Sequence, residues 1–229
     1  MFTSVVGNEE TVVSNCWCED GAAGFGAIDQ DTNSNIKLVG NTVKDCKQAI
    51  IGRFTHSAPN DIQIIGNHFI DSSKIYVAVN SSNGKYPYTE GFVVSDNICE
   101  NTRIEIGGVR GVLISGNTVR GDYISVDECP YSVISNNVVD HPAGIGIHTK
   151  ASPGVSISGN SVRCQALGVY GSGCAGILIF GNVLRQSPHN SNTDCIKLNS
   201  CPEAAIDNNK LFVYYGSGIT ATSNCRTMG

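Results

Sequence analysis

Apolar and polar residues alternate along this chain in a short unit that recurs at intervals of about 20 to 30 residues. In each copy, a branched apolar residue lies three positions before an asparagine, and another apolar residue lies two positions after it. The position just before the asparagine holds Gly, Asn or Asp, which tolerate a positive φ. The copies centre on Asn41, Asn67, Asn97, Asn117, Asn137, Asn160, Asn182 and Asn209, with a degenerate ninth copy at Asn15. This pattern predicts two half-buried strands joined by a sharp turn in every copy.

A further run of alternating residues precedes each unit and predicts a third strand per repeat. These runs lie around Ile50, Tyr76, Ile104, Ile124, Ile145, Val169, Ile196 and Ile219. Three strands in each short repeat predict an all-β solenoid, a single-stranded right-handed parallel β-helix of about ten coils. The asparagines are expected to stack as a ladder at one corner, where each amide bonds the backbone and the next asparagine. No linker divides the chain, so residues 1–229 are predicted to form one domain.

The repeat resembles the parallel β-helix repeats of the pectin lyase-like superfamily, which includes phage tailspikes. The resemblance covers residues from about 10 to 225. It implies a substrate groove along the outward side of the strand that precedes each asparagine unit, and a polysaccharide as partner. It also implies a homotrimer and a location at a virion surface or outside the cell. Asp127, His148 and Lys197 follow the order of the polygalacturonase-like family, but its Asp-Asp and Gly-His-Gly motifs are missing. No roles are carried over from that family.

The predicted solenoid reaches both ends of the sequence, and neither end carries an amphipathic cap. Residues 218–222 still alternate like a strand close to Gly229. An uncapped solenoid exposes strand edges and its apolar interior. We therefore expect this chain to be part of a longer chain or of an oligomer. The residues after Met1 also lack the basic stretch and apolar run of a secretory signal peptide.

Charge and cysteine placement narrow the function classes. A formal net charge of −5 disfavours a nucleic-acid partner, and no apolar run is long enough for a membrane helix. The negative charge also favours a neutral or mixed polysaccharide over a strongly anionic one. Among the ten cysteines, Cys129, Cys174 and Cys201 share one turn position. Stacked free thiols are therefore preferred to disulfide bridges, with a Cys174–Cys201 bridge as the alternative, and no metal site is predicted.

Ionisable residues fall on the outward side of the third strand in consecutive coils. The inward pairs are taken as Ile104/Ile106, Ile124/Val126, Ile145/Ile147 and Ile196/Leu198. Glu105, Asp127, His148 and Lys197 then face outward. Glu105 and Asp127 differ by one coil and two strand positions, so their backbones should lie about 8 Å apart. That separation overlaps the ~6.5–9.5 Å between the carboxyl groups of inverting glycosidases.

We therefore predict that Glu105 and Asp127 are the acid/base pair of a glycoside hydrolase. His148 is expected in one row with Asp127, and His148 and Lys197 are assigned to substrate binding or to tuning the carboxylates. Tyr76, with Tyr86 and Tyr88 in an inserted loop, would stack on sugar rings. The alternative for Tyr86 and Tyr88 is that they pack this loop onto the rod. No cofactor is predicted for a hydrolase.

Two alternative functions use the same fold. A uronate polysaccharide lyase would need Arg53, Arg103 or Lys197 as its base and Ca²⁺ to neutralise the acid. The segment Asp29–Asn35 begins like a calcium loop, but it lacks the Gly and the Glu that such loops carry at positions six and twelve. The second alternative is a non-catalytic β-helical adhesin or structural shaft, because this fold carries many functions.

Overall fold

Three parallel β-sheets run along the chain, each with nine strands in the residues that the structure describes, which confirms the predicted all-β solenoid. The structure is a computed structural model and describes residues 11–29, 34–54, 60–79, 92–188, 194–214, 216–222 and 225. Each coil contributes one short strand to each sheet in turn, and every strand pairs with its counterpart in the next coil. Among these residues, no helix is long and apolar enough to cross a membrane.

The strands are numbered in chain order. The first sheet contains β1 (Thr11–Ser14), β4 (Ser34–Val39), β7 (Asn60–Ile65), β10 (Val93–Ser95), β13 (Leu113–Ser115), β16 (Val133–Ser135), β19 (Ser156–Ser158), β22 (Leu178–Phe180) and β25 (Ala205–Asp207). The second sheet contains β2 (Trp17–Glu19), β5 (Thr42–Lys44), β8 (His68–Ile70), β11 (Ile98–Glu100), β14 (Thr118–Arg120), β17 (Val138–His141), β20 (Ser161–Cys164), β23 (Val183–Gln186) and β26 (Lys210–Phe212). The third sheet contains β3 (Phe25–Asp29), β6 (Ile50–Phe54), β9 (Lys74–Val79), β12 (Arg103–Gly107), β15 (Ile124–Asp127), β18 (Ile147–Lys150), β21 (Val169–Ser172), β24 (Ile196–Asn199) and β27 (Ile219–Thr222).

The core is a single stack of apolar side chains between the three sheets. The columns predicted to face inward from the asparagine units are buried as far as the unit of Asn182, and Ile206 and Leu211 in the last unit are partly buried. Ile64 and Phe69, for example, have no exposed surface. Burying a side chain of this size stabilises the fold by about 1.5–3 kcal/mol. The repetition of such residues in every coil therefore supplies the main driving force for the rod.

The asparagine ladder forms at the corner between the first and second sheets. In its middle, Asn117 Nδ2 donates to Asn137 Oδ1 at 3.0 Å, and the Asn117 backbone N–H donates to the same oxygen at 2.9 Å. The same amide group also donates to Val94 O in the preceding coil at 2.9 Å. Each asparagine thus ties three coils together, which confirms the predicted ladder.

The ninth ladder copy was assigned to the wrong residue. The backbone N–H of Cys16, not that of Asn15, donates to Asn41 Oδ1 at 2.9 Å. Asn15 aligns with Gly40 in the turn position and has a φ of 52°. Asparagine suits either position, since it tolerates the left-handed region, and this explains the displacement by one residue.

The described cysteines carry free thiols, as predicted. The predicted column at the corner between the third and first sheets is confirmed and extends to Cys225. Here the Cys174 N–H donates to Cys201 Sγ at 3.4 Å, and the Cys201 N–H donates to Cys225 Sγ at 3.2 Å. Cys129 belongs to the same column, where its N–H donates to Ser152 Oγ at 3.0 Å. Thiol and hydroxyl side chains at this corner therefore satisfy backbone groups as the asparagines do at theirs.

Candidate functional site

Two rows of outward side chains run along the third sheet, at right angles to its strands. The register of the paired strands determines which residues belong to each row. The first row contains Tyr76, Glu105, Ser125, His148, Tyr170, Lys197 and Thr220. The second row contains Ala78, Gly107, Asp127, Lys150, Ser172, Asn199 and Thr222. Neighbouring members of a row lie about 4.8 Å apart, so several of them can contact one extended ligand.

Glu105 and Asp127 lie on adjacent strands of this face, at the predicted offset of one coil and two strand positions. Both line a shallow cavity of about 240 Å³. Tyr76 lines the same cavity, at the position that Glu105 occupies one coil later. Glu128, at the turn that follows β15, completes its acidic side. The structure therefore brings together three of the residues singled out from sequence.

His148 does not share a row with Asp127, contrary to the sequence-based expectation. It aligns with Ser125, whereas Asp127 aligns with Lys150. The sequence analysis took Ile145 and Ile147 as the inward pair of this strand. In the structure the inward pair is Ile147 and Thr149, which are fully buried, whereas Ile145 is not. A buried threonine resembles a surface residue in an alternating pattern, so the third-sheet strand was placed two residues too early.

Glu105 is held as a carboxylate by two cations. Lys74 Nζ lies 3.1 Å from Oε1 and 3.2 Å from Oε2 of Glu105, and Arg103 Nε donates to Oε2 at 2.8 Å. Partial burial acts to raise the pKa of Glu105, but the hydrogen bonds and charges of Arg103 and Lys74 outweigh it, and the pKa is lowered. Lys74 also lies 3.9 Å from the centroid of the Tyr76 ring. These contacts fix one wall of the cavity and keep Glu105 ionised at neutral pH.

Asp127 has one paired oxygen and one unpaired oxygen. Lys150 Nζ lies 3.2 Å from Oδ2. Oδ1 is buried and has no hydrogen-bond partner among the described residues. A buried carboxylate oxygen without a partner is costly, typically by about 1–3 kcal/mol. Asp127 as a residue lines the cavity, so its carboxylate can accept hydrogen bonds from a ligand there.

The remaining candidates lie farther along the rod. His148 stacks on Tyr170, with ring centroids 5.2 Å apart and planes inclined by 15°. Burial lowers the pKa of His148, so the imidazole is neutral at pH 7. Lys197 is two coils beyond His148 in the same row. Neither side chain lines the cavity.

Two candidates lie outside the residues that the structure describes, namely Tyr86 and Tyr88. Residues 30–33 of the segment considered for calcium lie outside them as well. Sequence reasoning missed Lys74, Lys150 and Tyr170, because each meets its partner from a neighbouring coil. For Lys150 and Tyr170 the signal was nonetheless present, since aligning the repeats on their asparagines places these residues beside Asp127 and His148.

The sheets, the asparagine ladder and the outward rows define a parallel β-helix repeat protein, a class that includes carbohydrate-related and structural proteins. A family model described as "Periplasmic copper-binding protein (NosD)" matches residues 77–194, slightly more than half of the chain. This chain belongs to that family. The matched range contains Glu105, Asp127 and His148, whereas Tyr76 and Lys197 fall just outside it. No curated protein matches the sequence.

Proposed function

We propose that this chain is a polysaccharide-directed protein that binds its glycan across the coils of the third sheet, outside the cytoplasm. The observation that carries the proposal is the cavity of Tyr76, Glu105 and Asp127, which combines an aromatic ring with carboxylates, one of them with an unpaired buried oxygen. The periplasmic description of the family supports the location. A virion location and a tailspike-like homotrimer rest on the resemblance of the repeats alone.

The chemistry of the cavity suits a sugar ring. The apolar face of a pyranose can pack on Tyr76, and its hydroxyl groups can donate to carboxylate oxygens. Lys74 contacts both Tyr76 and Glu105, so the aromatic and acidic walls are fixed before a ligand arrives. Such pre-organisation lowers the entropic cost of binding. The Asp127 carboxylate, which lines the same cavity, can accept a hydrogen bond from a sugar hydroxyl.

Asp127→Asn and Tyr76→Ala should each weaken glycan binding at least about tenfold, which corresponds to about 1.4 kcal/mol. An asparagine removes the negative charge and replaces one acceptor oxygen of this cavity residue by N–H donors, so it accepts fewer hydrogen bonds from the ligand. Binding is measured by calorimetry on a panel of bacterial capsule and O-antigen polysaccharides. Ser172→Ala is the matched control, because Ser172 lies in the same row two coils away. Unchanged affinity in both cavity variants would remove the proposed site.

Glycoside hydrolysis is the second candidate function, and the offset of Glu105 and Asp127 favours it. Lys74 and Arg103 keep Glu105 ionised, which suits the base that activates a water molecule. Asp127 would then be the acid that protonates the leaving oxygen. Binding needs no proton transfer at Asp127, whose Oδ2 is paired with Lys150, so binding has the stronger support.

A reducing-end assay on the same polysaccharides separates these functions. For a hydrolase, Glu105→Gln and Asp127→Asn should each lower the release of new ends by about 10²–10⁴-fold, because each removes one proton-transfer group. Retained thermal stability is the control for folding. Binding without new ends supports an adhesin or shaft. Unsaturated products that disappear with a chelator support a uronate lyase and contradict the acid/base assignment.

Copper, which the description of the family names, does not fit the residues that the structure describes. Copper is held by sets of imidazole, thiolate and thioether ligands. In the described ranges, no three His, Cys, Asp or Glu side chains lie close enough to share a metal ion. The thiols of Cys18 and Cys46 are 3.9 Å apart, but burial raises the pKa of Cys46, which disfavours the thiolate that would bind a metal. The function proposed for this chain therefore includes no copper step.

A further inference from the structure

The second sheet carries a row of charged side chains whose pairing changes along the rod. The row contains Glu19, Lys44, Ile70, Glu100, Arg120, Asp140, Arg163, Arg185 and Phe212. In the earlier coils each cation has an acidic partner, with Lys44 Nζ 2.6 Å from Glu19 Oε1 and Arg120 Nη1 3.5 Å from Glu100 Oε1. Farther along, Arg163 and Arg185 are direct neighbours. Neither forms an ion pair with an acidic side chain in the described part of the chain.

Both arginines line a concave cavity of about 450 Å³. The guanidinium of Arg185 is held against the Phe212 ring, 4.3 Å from its centroid. Gln186, only 3% exposed, lines the cavity, and its Oε1 accepts a hydrogen bond from the Tyr214 backbone N–H at 3.3 Å. The Tyr214 side chain is 57% exposed at the cavity rim. Two cations, an exposed aromatic ring and polar groups therefore share one concave surface.

Two like charges directly opposite each other on neighbouring strands destabilise a sheet. Arg163 and Arg185 are about 4.8 Å apart at the backbone, and the contact with Phe212, on the strand beyond Arg185, holds the Arg185 guanidinium in place. An anion between the two guanidinium groups would convert this repulsion into attraction. Guanidinium groups suit a carboxylate in particular, because their parallel N–H groups match its two oxygens.

We propose that this cavity is a binding site for a carboxylate-bearing sugar. Its carboxylate lies between Arg163 and Arg185, and its ring packs on Tyr214. Ser161 and Ser187, which also line the cavity, offer hydroxyl groups to the remaining polar atoms of the sugar. The site lies on a different sheet from the cavity of Glu105 and Asp127, so it does not depend on the function proposed there.

The test compares a galacturonate trisaccharide with the equivalent galactose trisaccharide by calorimetry at low salt. The acidic sugar should bind at least about tenfold more tightly, and its affinity should fall as salt rises because the interaction is ionic. Arg163→Gln and Arg185→Gln should each lower that affinity at least about tenfold. Arg120→Gln is the matched control, because Arg120 lies in the same row but is paired with Glu100. Unfolding temperatures of the variants verify that each one folds.

Three results would overturn the proposal. Equal affinity for the neutral and the acidic trisaccharide would show that no carboxylate is recognised. An equal loss in Arg120→Gln would show that only the overall charge matters. Inorganic sulfate that binds as tightly as the sugar acid, with an affinity unchanged in Tyr214→Ala, would mean that the cavity recognises a free oxyanion and not a sugar. We expect Tyr214→Ala to weaken the binding of the galacturonate trisaccharide and to leave the binding of sulfate unchanged.

Discussion

Replacement of Asn117 by alanine is expected to lower the free energy of unfolding by about 3–5 kcal/mol, because it leaves several buried polar groups without partners. Asn117 Oδ1 accepts the Asn97 backbone N–H at 3.1 Å and Asn97 Nδ2 at 2.9 Å. Asn117 Nδ2 donates to Val94 O at 2.9 Å. Each of these groups is buried, and each one left unmatched costs about 1–3 kcal/mol. The measurement is urea denaturation followed by circular dichroism.

Two further ladder variants make the test specific. Asn117→Asp keeps an acceptor for Asn97 but removes both side-chain N–H donors and buries a charge, so it should destabilise the protein more than alanine does. Asn209→Ala is the matched control at the end of the described ladder: Asn209 accepts the same two bonds from Asn182, but it is only half-buried and donates to no further asparagine among the described residues. Its cost should be about 1 kcal/mol. A loss below about 1 kcal/mol in Asn117→Ala would contradict the idea that the ladder holds neighbouring coils together.

The fold could be predicted from sequence because strand burial and the asparagine ladder each produce a short pattern that recurs along the chain. Burial on one side of a strand gives alternation, and the ladder repeats one residue type at the same corner. The first coil shows where this fails. Its ladder position holds Cys16, and the asparagine beside it occupies the turn position, so residue type alone pointed to Asn15. Only the register with the second coil distinguishes the two positions.

The site could be predicted only in part, because its side chains meet between coils. Glu105 and Asp127 were found from alternation within their own strands. Their cationic partners Lys74 and Lys150 come from neighbouring coils, so alternation within one strand cannot find them. By contrast, Arg163 and Arg185 each lie three residues after a ladder asparagine, so the sequence already places them side by side. The number of residues between a position and its ladder asparagine therefore predicts which residues share a row more reliably than alternation alone.

The turn before β18 gives the second large stability effect. Gly146 lies just before β18, and a Cβ there would lie 2.2 Å from Val162 Cγ1 and 3.0 Å from the backbone oxygen of Gly168. Gly146→Ala is therefore expected to lower the free energy of unfolding by about 3 kcal/mol, measured by urea denaturation. Gly107→Ala is the matched control, because a Cβ there meets its nearest atoms only at 3.7 and 3.8 Å. It should change stability by less than about 1 kcal/mol.

A double-mutant cycle with Val162→Ala identifies which contact causes the loss. If the valine methyl group is the main obstacle, removing it makes room for the new Cβ. The loss in the free energy of unfolding of the double variant should then be smaller than the sum of the two single losses by at least about 1 kcal/mol. Additive losses would contradict that expectation and assign the clash to the Gly168 oxygen, which cannot move without breaking its 3.0 Å hydrogen bond from the Ile147 N–H. In that case the glycine is required by the backbone of the next coil, and side-chain changes in the core cannot replace it.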